Sequence, residues 1–289
     1  MRRRYVIICT KQVFCRRAEK MPRHPQMRRQ VFEYASEGAF SKEKTMRKKR
    51  YFTAAEITIW LVSVSVIVVT FLIFDRSNYL SLFGSLVGVT AIIFCAKGNP
   101  IGQIMMLCFA VFYGIISISF RYYGEMITYL GMSAPMAVFS LISWVRHPYS
   151  KSEVRVSVLR ARDVVLLAIL DTAVTIAFYF ILRALGNANL IVSTISVTTS
   201  FAAVYLTARR SPFYALAYAL NDVVLIILWT MATIANPAYV STLACFIVFL
   251  ANDIYGFINW RRMHRRQLAA EAVTPEAVAP ETGAVGNEE

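Results

Sequence analysis

The sequence has few of the side chains that build metal and catalytic sites. It contains 3 histidines and 5 cysteines, with no Cys-x-x-Cys pair and no spacing typical of a zinc site or a disulfide framework. Walker A, HExxH and nucleophile-elbow motifs are also absent, which argues against an ATPase, a zinc hydrolase and a serine hydrolase. We therefore expect no enzyme, no cofactor and no bound metal ion.

Acidic residues are scarce as well, with 17 Asp and Glu against 31 Lys and Arg, for a formal net charge of +14. Such a surplus is common in nucleic-acid-binding proteins, but its distribution argues against that class. Of the basic residues, 16 lie before residue 57, and the other 15 lie in the connections between apolar segments and in the C-terminal flank. We expect no nucleic-acid partner.

Long apolar runs dominate the rest of the chain. Hydrophobic residues make up 57% of the sequence, and the mean hydropathy is +0.51. The runs are about 18–23 residues long, which is the length of a membrane-spanning helix and about twice that of a membrane strand. We predict an all-α, multi-pass protein of the plasma membrane with eight spans, at residues 57–74, 80–96, 100–120, 126–145, 163–182, 189–206, 212–234 and 238–260.

The basic residues between the spans predict the orientation. If the N-terminus is cytoplasmic, the cytoplasmic connections and the C-terminal flank hold 12 basic residues, and the outer connections hold only Arg76, Arg121 and Arg183. Cytoplasmic loops of membrane proteins carry an excess of Lys and Arg. We therefore predict that both termini are cytoplasmic.

Two terminal segments contain no apolar span. Residues 1–45 are basic without a helical stripe, and Met46 opens a compact basic flank directly before the first span. We predict that translation starts at Met46 and that residues 1–45 are an upstream read-through; the alternative is a disordered basic tail. Residues 261–289 are predicted to be a basic cytoplasmic flank and a disordered tail, because residues 268–289 are rich in Ala, Pro and Glu.

Two connections share a sequence pattern. AKGNPIG and ARRSPFY each place a basic residue, then Asn99 or Ser211, and then a proline, at an offset of 112 residues. Asn or Ser at the N-cap followed by Pro is typical of a helix start. In both cases the helix pair that follows ends at a tryptophan, Trp144 or Trp260. Spans two to four and six to eight therefore look like two copies of one three-helix unit.

Three helices reverse the direction of the chain across the membrane, so two copies in the same orientation need one helix between them. Span five supplies that helix and span one is peripheral, which gives a SWEET-like 3+1+3 parallel repeat with one extra N-terminal helix. The predicted organisation is a flank and peripheral helix (46–79), a first bundle (80–145), a basic loop and linker helix (146–188) and a second bundle (189–260).

Polar side chains inside apolar spans are costly and often mark a pathway. Asn221 and Asn252 each lie about 12–13 Å along their helices, near the middle of a ~30 Å hydrocarbon core. Helical spacing puts Tyr255 on the face of Asn252, and Trp229 on the face of Asp222. Hydroxyl groups in span six extend the candidate site, although helix packing is the alternative role for them: Ser193, Ser196 and Ser200, with Thr194 and Thr198 nearby.

Three acids also lie inside the predicted spans, at Asp171, Asp222 and Asp253. An ionised Asp at the centre of a membrane helix costs about 2.5–3.5 kcal/mol, so each acid needs a proton, a partner or a wet cavity. Contact with a ligand or an ion and hydrogen bonding between helices are the two alternative roles. Pro135 in span four predicts a kink and a possible hinge.

Three segments together resemble a known family. AKGNPIGQIMMLCFAVFYGIISISFRYYGEMITYLGMSAPMAVFSLISW, RRSPFYALAYALND and FLANDIYGFINWRRM resemble the nicotinamide riboside transporter (PnuC) family, and the resemblance extends roughly over residues 57–266. It implies a facilitated carrier with a 3+1+3 helical fold, whose cargo is trapped in the cell by a cytoplasmic riboside kinase. Members for thiamine and riboflavin are also known.

The resemblance further implies a pocket lined by amide and aromatic side chains of the second bundle. The positions that match the motifs of the family are Asn221, Asn252, Tyr255 and Trp260, with Gln103 beside the AKGN turn as a further candidate. Many members begin the helix that holds Asn221 with an acidic residue and tryptophans. Here that helix begins with Pro and tyrosines, so Tyr214, Tyr218 or Trp229 would have to stack the base, which leaves the identity of the vitamin open.

The expected ligand chemistry follows from nicotinamide riboside, which carries a pyridinium charge, a carboxamide and a ribose. Aromatic faces attract the cation, Asn and hydroxyl groups bind the polar edges, and an Asp offsets the charge. We predict carriage by alternating access, by rocking of one bundle against the other. The predicted site consists of Asn221, Asn252, Tyr255, Trp260, Trp229, Asp222, Gln103 and Thr198.

Two other functions stay open at the level of sequence. One is transport of another vitamin or a deoxynucleoside, and the other is a membrane binding or sensing module that does not translocate its ligand. The expected partners are the lipid bilayer, a small vitamin substrate and, through the trapped product, a nicotinamide riboside kinase.

Overall fold

The computed structural model describes residues 51–76, 78–119, 126–187 and 189–276. Contacts divide the chain between Thr53 and Ala54, and the unit that begins at Ala54 holds the membrane helices. The predictions of a read-through segment at residues 1–45 and of a start at Met46 lie outside the described residues, as does the tail beyond residue 276.

The described residues form eight α-helices. Seven helices in this part of the chain are long and apolar enough to cross a membrane, the fourth being counted with a π-helical segment that precedes it. The third is apolar as well, with side chains described over Pro100–Ile115. The prediction of an all-helical, multi-pass protein is therefore confirmed. The helices are α1 (Ala54–Phe74), α2 (Tyr79–Ala96), α3 (Pro100–Ser119), α4 (Ala134–Arg146), α5 (Ala161–Ala184), α6 (Leu190–Ala208), α7 (Tyr214–Ala235) and α8 (Val240–Glu276).

The turns that follow α2 and α6 have the same backbone structure. The Gly98 N–H donates to the Cys95 carbonyl at 2.8 Å, and the Arg210 N–H donates to the Thr207 carbonyl at 2.9 Å. Both donor residues lie in the left-handed region, with φ of +67° for Gly98 and +56° for Arg210. The positions differ by the same offset of 112 residues that the sequence pattern shows.

The residues after these turns begin the next helices in the same way. The Asn99 side-chain oxygen accepts from the N–H two residues on at 3.0 Å, and the Ser211 hydroxyl accepts from the N–H two residues on at 3.3 Å. Each cap satisfies a backbone donor that has no partner within its helix. The helix starts predicted from Asn-Pro and Ser-Pro are thus present, although α7 begins at Tyr214, two residues after the proline.

Pro135 lies at the junction of two helix types. A π-helical segment, Ile127–Ser133, precedes α4, and the Ala134 N–H donates to the Tyr129 carbonyl five residues earlier. Proline has no N–H, and its ring clashes with the carbonyl four residues before it, so a wider turn accommodates the ring. The sequence predicted a kink at Pro135, and the structure has a π-helical segment just before it.

The helix α8 does not end at residue 260 as predicted but continues to Glu276. The prediction that residues 268–289 are disordered is therefore wrong for residues 268–276, which are helical. That stretch is rich in Ala and Glu, which are strong helix formers. A side chain just before it fixes the extension against the rest of the protein.

Gln267 provides this fixation. Its amide nitrogen donates to the Glu153 carboxylate and to the Val154 carbonyl, at 3.0 Å each, and its oxygen accepts from the Val156 N–H at 2.9 Å. The partners lie in and after a short hairpin of β1 (Pro148–Ser150) and β2 (Glu153–Val154).

Two tryptophans join the ends of the bundles reciprocally. The Trp144 indole at the end of α4 donates to the Thr207 carbonyl of α6, and the Trp260 indole of α8 donates to the Cys95 carbonyl of α2, both at 2.9 Å. The two ring centroids lie 5.3 Å apart, both indoles are fully buried, and both contact the Tyr214 ring. Trp144, Trp260 and Tyr214 form the indole cluster, which occupies the end of the bundle at these turns.

The first helix is held by polar contacts. Glu56, only 2% exposed, receives Lys97 Nζ at 3.0 Å on both carboxylate oxygens and the Tyr255 hydroxyl at 3.1 Å. Further along α1, the Ser63 hydroxyl accepts from the Asn252 amide at 2.9 Å. Such bonds contribute to association between membrane helices, because lipid tails are as apolar as the helix surfaces.

The close approach of α2 and α3 depends on Gly102. A methyl group there would lie 2.6 Å from both the Cys95 backbone nitrogen and its sulfur. We predict that Gly102→Ala destabilises the protein by about 1–3 kcal/mol or more, because the helices have to separate. The melting temperature of the purified protein in detergent measures the effect. Gly131→Ala is the matched control, since its nearest neighbour would lie at an ordinary 3.7 Å; equal melting temperatures for the two variants would contradict this account of the contact.

Candidate functional site

A cavity of about 580 Å³ lies among the helices, within the usual range for small-molecule pockets. Its walls come from α2, α3, the π-helical segment and α4 on one side, and from α6, α7 and α8 on the other. One end abuts Tyr214 of the indole cluster, and the other reaches Gly186 and Asn189 in the connection between α5 and α6. Its amide and carboxyl side chains are Gln103, Asn187, Asn189, Asn221, Asp222 and Asp253, and its hydroxyl groups include Ser193, Ser196 and Ser200.

Two acids from adjacent helices meet at this cavity. Asp222 of α7 is 4% exposed and Asp253 of α8 is 5% exposed, and both carboxyl groups line the cavity. Each acid interacts electrostatically with the other. The Asp222 Oδ2 atom is buried and has no hydrogen-bond partner. A buried acceptor without a partner is costly, and a donor or a cation in the cavity would relieve that cost.

Aromatic rings of the second bundle form one wall. Trp229 stacks on Phe246, with centroids 6.3 Å apart and an interplanar angle of 16°, and contacts Tyr239 at 5.4 Å. Phe249 continues the wall, edge to face with Phe246 at 5.9 Å. All four rings line the cavity.

A second group of rings comes from the first bundle. Phe109, Tyr113 and Tyr129 lie 5.1–6.0 Å apart by centroid, and all three line the cavity. Tyr129 belongs to the π-helical segment before Pro135, so the irregular backbone contributes directly to the lining. The cavity is thus bounded by aromatic faces from α3 and the π-helical segment as well as from α7 and α8.

Asn221 is oriented by hydroxyl groups of α6. Its side-chain oxygen accepts from the Thr199 hydroxyl at 2.9 Å and from the Ser196 hydroxyl at 3.4 Å. Because the oxygen is occupied, the amide NH₂ is the group that Asn221 offers to a ligand. The amide lies directly before Asp222 in the chain, which places a donor and an acid together on α7.

Gln103 lines the cavity near the indole cluster. It is 3% exposed, and its amide nitrogen donates to the Cys95 sulfur at 3.3 Å. The prediction from sequence that Gln103, Asn221, Asp222 and Trp229 belong to one site agrees with their common place in the lining.

Asn252 and Tyr255 do not line the cavity, contrary to the prediction. Asn252 is fully buried, and its amide donates to Ser63 of α1 and to the Val248 carbonyl. Tyr255 donates to Glu56 of α1. The polar stripe on this face of α8 therefore holds the peripheral helix, and the next residue, Asp253, turned by about 100° around the helix axis, reaches the cavity instead.

Trp260 and Thr198 also lie outside the cavity lining. Trp260 belongs to the indole cluster, and its one donor is bound to the Cys95 carbonyl. The Thr198 hydroxyl exchanges a hydrogen bond with Thr175 of α5 at 2.7 Å and bonds within its own helix. Asp171 of α5 is likewise absent from the lining. Trp260 and Thr198 therefore serve contacts between helices, whereas the buried Asp171 Oδ1 atom has no hydrogen-bond partner among the described residues.

The most important lining residues that sequence reasoning did not assign to the site are Asp253 and the rings of Phe246 and Phe249. Their spacing, 246, 249 and 253, is that of one helical face, and this signal is visible in the sequence. The polar stripe of Asn252 and Tyr255 one residue away is the stronger sequence signal, because polar side chains inside apolar spans are costly. The rings from α3 and the π-helical segment have no comparable sequence signal.

The lining is negative and aromatic. Among the described residues that line the cavity there are two acids and no Lys or Arg. Aromatic faces bind cations, and a carboxylate adds a full opposite charge in a site that water reaches poorly. This arrangement favours a flat, positively charged ligand with polar edges over an anionic one.

Comparisons with known proteins agree with a transport site. A family model described as nicotinamide mononucleotide transporter matches residues 78–262. The nicotinamide riboside transporter PnuC of Neisseria mucosa is 25% identical over 215 residues, which are 72% of this chain and 81% of that protein. A crystal structure of the vitamin B3 transporter PnuC has a similar fold, with a TM-score of 0.64 and 24% identity over 74% of this chain and 94% of that one.

Thiol labelling tests which face of α6 is open. Ser200 lines the cavity, whereas Thr198 faces Thr175. We predict that a small methanethiosulfonate reagent labels Ser200→Cys above the level of the unsubstituted protein, and that Thr198→Cys stays at that level. Intact mass spectrometry counts the labels. Equal labelling of the two variants would show that the lining is assigned incorrectly.

Proposed function

Because this chain belongs to the nicotinamide mononucleotide transporter family, we propose that it carries nicotinamide riboside across the plasma membrane. The protein is a multi-pass membrane transporter and not an enzyme. The observation that carries the choice of substrate is the acid pair Asp222–Asp253 set among aromatic rings.

The charge of the cavity favours the riboside over its phosphate ester. The family description names the mononucleotide, whereas the Neisseria mucosa relative is named for the riboside. The mononucleotide carries a phosphate, which needs Arg, Lys or several N–H donors. The described lining has two acids and no basic side chain, so a phosphate would be repelled while a pyridinium cation is attracted.

Each part of the riboside has a matching group. The pyridinium ring lies against the aromatic wall of Trp229, Phe246 and Phe249, where cation–π attraction adds to apolar contact. The unpartnered Asp222 Oδ2 offsets the ring charge. Asn221 donates its NH₂ to the carboxamide or to a ribose hydroxyl, and Gln103 lines the same cavity near the indole cluster.

Transport follows alternating access between two three-helix bundles, α2–α4 and α6–α8, with α5 between them and α1 peripheral. Support for this 3+1+3 repeat comes from the equivalent backbone bonds after α2 and α6 and from the reciprocal indole–carbonyl bonds. Rocking of one bundle against the other has to break those indole bonds, because each of them joins one bundle to the other.

The indole cluster marks the cytoplasmic end in the orientation we propose, with both termini in the cytoplasm. Lys97, Arg209 and the basic flank of α8 lie at this end, as the positive-inside rule requires. Phosphorylation by a cytoplasmic riboside kinase would then retain the cargo, because the product gains a negative charge that the acid-lined cavity rejects.

Uptake into proteoliposomes is the direct test. We predict saturable, time-dependent flux of unchanged labelled nicotinamide riboside, with little competition from the mononucleotide. Thiamine and riboflavin serve as competing vitamins, and protein-free liposomes are the control. Binding without flux would identify a non-translocating module. Flux of thiamine or riboflavin, without flux of nicotinamide riboside, would identify a different substrate. Either result would contradict the proposal.

The acid pair makes a second, sharper prediction. Asp222→Asn keeps the shape and hydrogen bonding but removes the charge, so the KM for nicotinamide riboside should rise about tenfold or more. The reduced dihydro-riboside has a neutral ring, and its uptake should change by less than about threefold, an amount worth well under 1 kcal/mol. Thr198→Val is the matched control for helix packing. An equal loss for the charged and the neutral riboside would show that Asp222 acts through structure and not through charge.

A further inference from the structure

A basic cleft lies beside the start of α5, apart from the central cavity. It is lined by the segment from Val156 to Asp163 and by Arg209, at the end of α6. Three of its side chains are arginines: Arg160, Arg162 and Arg209. The cleft plays no part in the transport site, and its occupant does not depend on which vitamin is carried.

The charge in the cleft is incompletely balanced. Arg209 forms an ion pair with Asp163, the one acid in the lining. Arg160 and Arg162 form no ion pair with a carboxylate in the part of the chain that the structure describes. Asp163 also interacts with the charge of Arg160, so three guanidinium groups share one carboxylate and the cleft keeps a net positive charge for an anion. Guanidinium matches the geometry of a phosphate oxygen pair.

Neighbouring groups strengthen the positive field. Arg210, which follows Arg209, has a buried Nε atom without a hydrogen-bond partner. Burial, together with the charges of Arg209 and Arg155, lowers the pKa of Arg210. The start of α5 contributes the positive end of a 24-residue helix at the same place, since Arg160 is its cap residue.

The surroundings fit a lipid. Just beyond the cleft, the first turns of α5 expose apolar side chains, with Val164, Val165 and Leu166 about half exposed. A helix long enough to span the membrane presents such a face to acyl chains. A molecule that places a phosphate among the arginines and a hydrocarbon chain along α5 would satisfy both surfaces, and basic pockets at helix ends are known to hold anionic head groups.

We propose that the cleft formed by Arg160, Arg162 and Arg209 binds a phosphate group, with the head group of an anionic phospholipid as its source. The same cleft segment is bonded at two points to the helices α6 and α8 or their ends. The Val156 N–H donates to Gln267 of α8, and the Ser157 N–H donates to the Arg210 carbonyl after α6, at 2.9 and 3.0 Å. An occupant of the cleft therefore contacts a segment that is bonded to α8 and to the end of α6.

The test uses the full chain, stripped of lipid in an uncharged detergent. Native mass spectrometry follows the binding of phosphatidylglycerol, with phosphatidylcholine as the zwitterionic comparison. We expect one saturable phosphatidylglycerol site, weakened about tenfold in the double variant Arg160→Gln/Arg162→Gln, since two charge-assisted contacts are lost. The matched control is Arg262→Gln/Arg265→Gln, which removes two exposed arginines of α8 outside the cleft.

A second variant and a soluble probe complete the design. Arg160→Lys/Arg162→Lys keeps the charge and should bind more tightly than the Gln variant, which separates a local charge effect from misfolding. Inorganic phosphate is titrated against bound lipid: no displacement identifies the head group as the source, and displacement at millimolar phosphate identifies a soluble phosphate compound. Equal weakening in the Arg262/Arg265 control, or unchanged binding in the Arg160/Arg162 variant, would overturn the site.

Discussion

Two indole–carbonyl bonds at one end of the molecule hold the helix ends together at the points where α3 and α7 begin. Trp144 and Trp260 each close a helix of one bundle against the last turn of a helix in the other. The carbonyls they bind, at Thr207 and Cys95, also accept the N–H of Arg210 or Gly98, in the turns that begin the next helix. The start of α3 and of α7, and hence the rotation of the faces that line the cavity, follow from these contacts.

The polar side chains of α8 lie on two faces and have different contacts. On one face of α8, Asn252 and Tyr255 bind the first helix through Ser63 and Glu56. On the adjacent face, Asp253 meets Asp222 at the cavity. A carboxylate in hydrocarbon costs several kcal/mol, so the acid pair is tolerated because it lies beside a cavity instead of lipid. The same pair gives the cavity its preference for positive charge.

The sequence predicted the framework of this protein better than the detail of its site. Apolar runs of span length are strong signals, and Asn99 and Ser211 cap helices where their patterns indicate, because such caps are local. Asn252 was misassigned since two adjacent residues on a helix point about 100° apart, and hydropathy alone does not say which face meets a cavity and which meets another helix. Asn221, Asp222 and Trp229 line the cavity because it lies on the polar side of their helix, and their role in binding stays a prediction.

The length of α8 has a mechanical consequence. Its 37 residues extend over about 55 Å, against a hydrocarbon core of about 30 Å, so a long arm projects beyond the membrane. This arm carries Asp253 at one level and Gln267 at another, and Gln267 holds the hairpin segment at Val154 and Val156. Since an α-helix resists bending, a tilt of α8 near Asp253 would also move Gln267. That movement would displace the hairpin segment to which Gln267 is bonded. A protein that bound this arm would therefore act directly on the helix that carries Asp253 at the cavity.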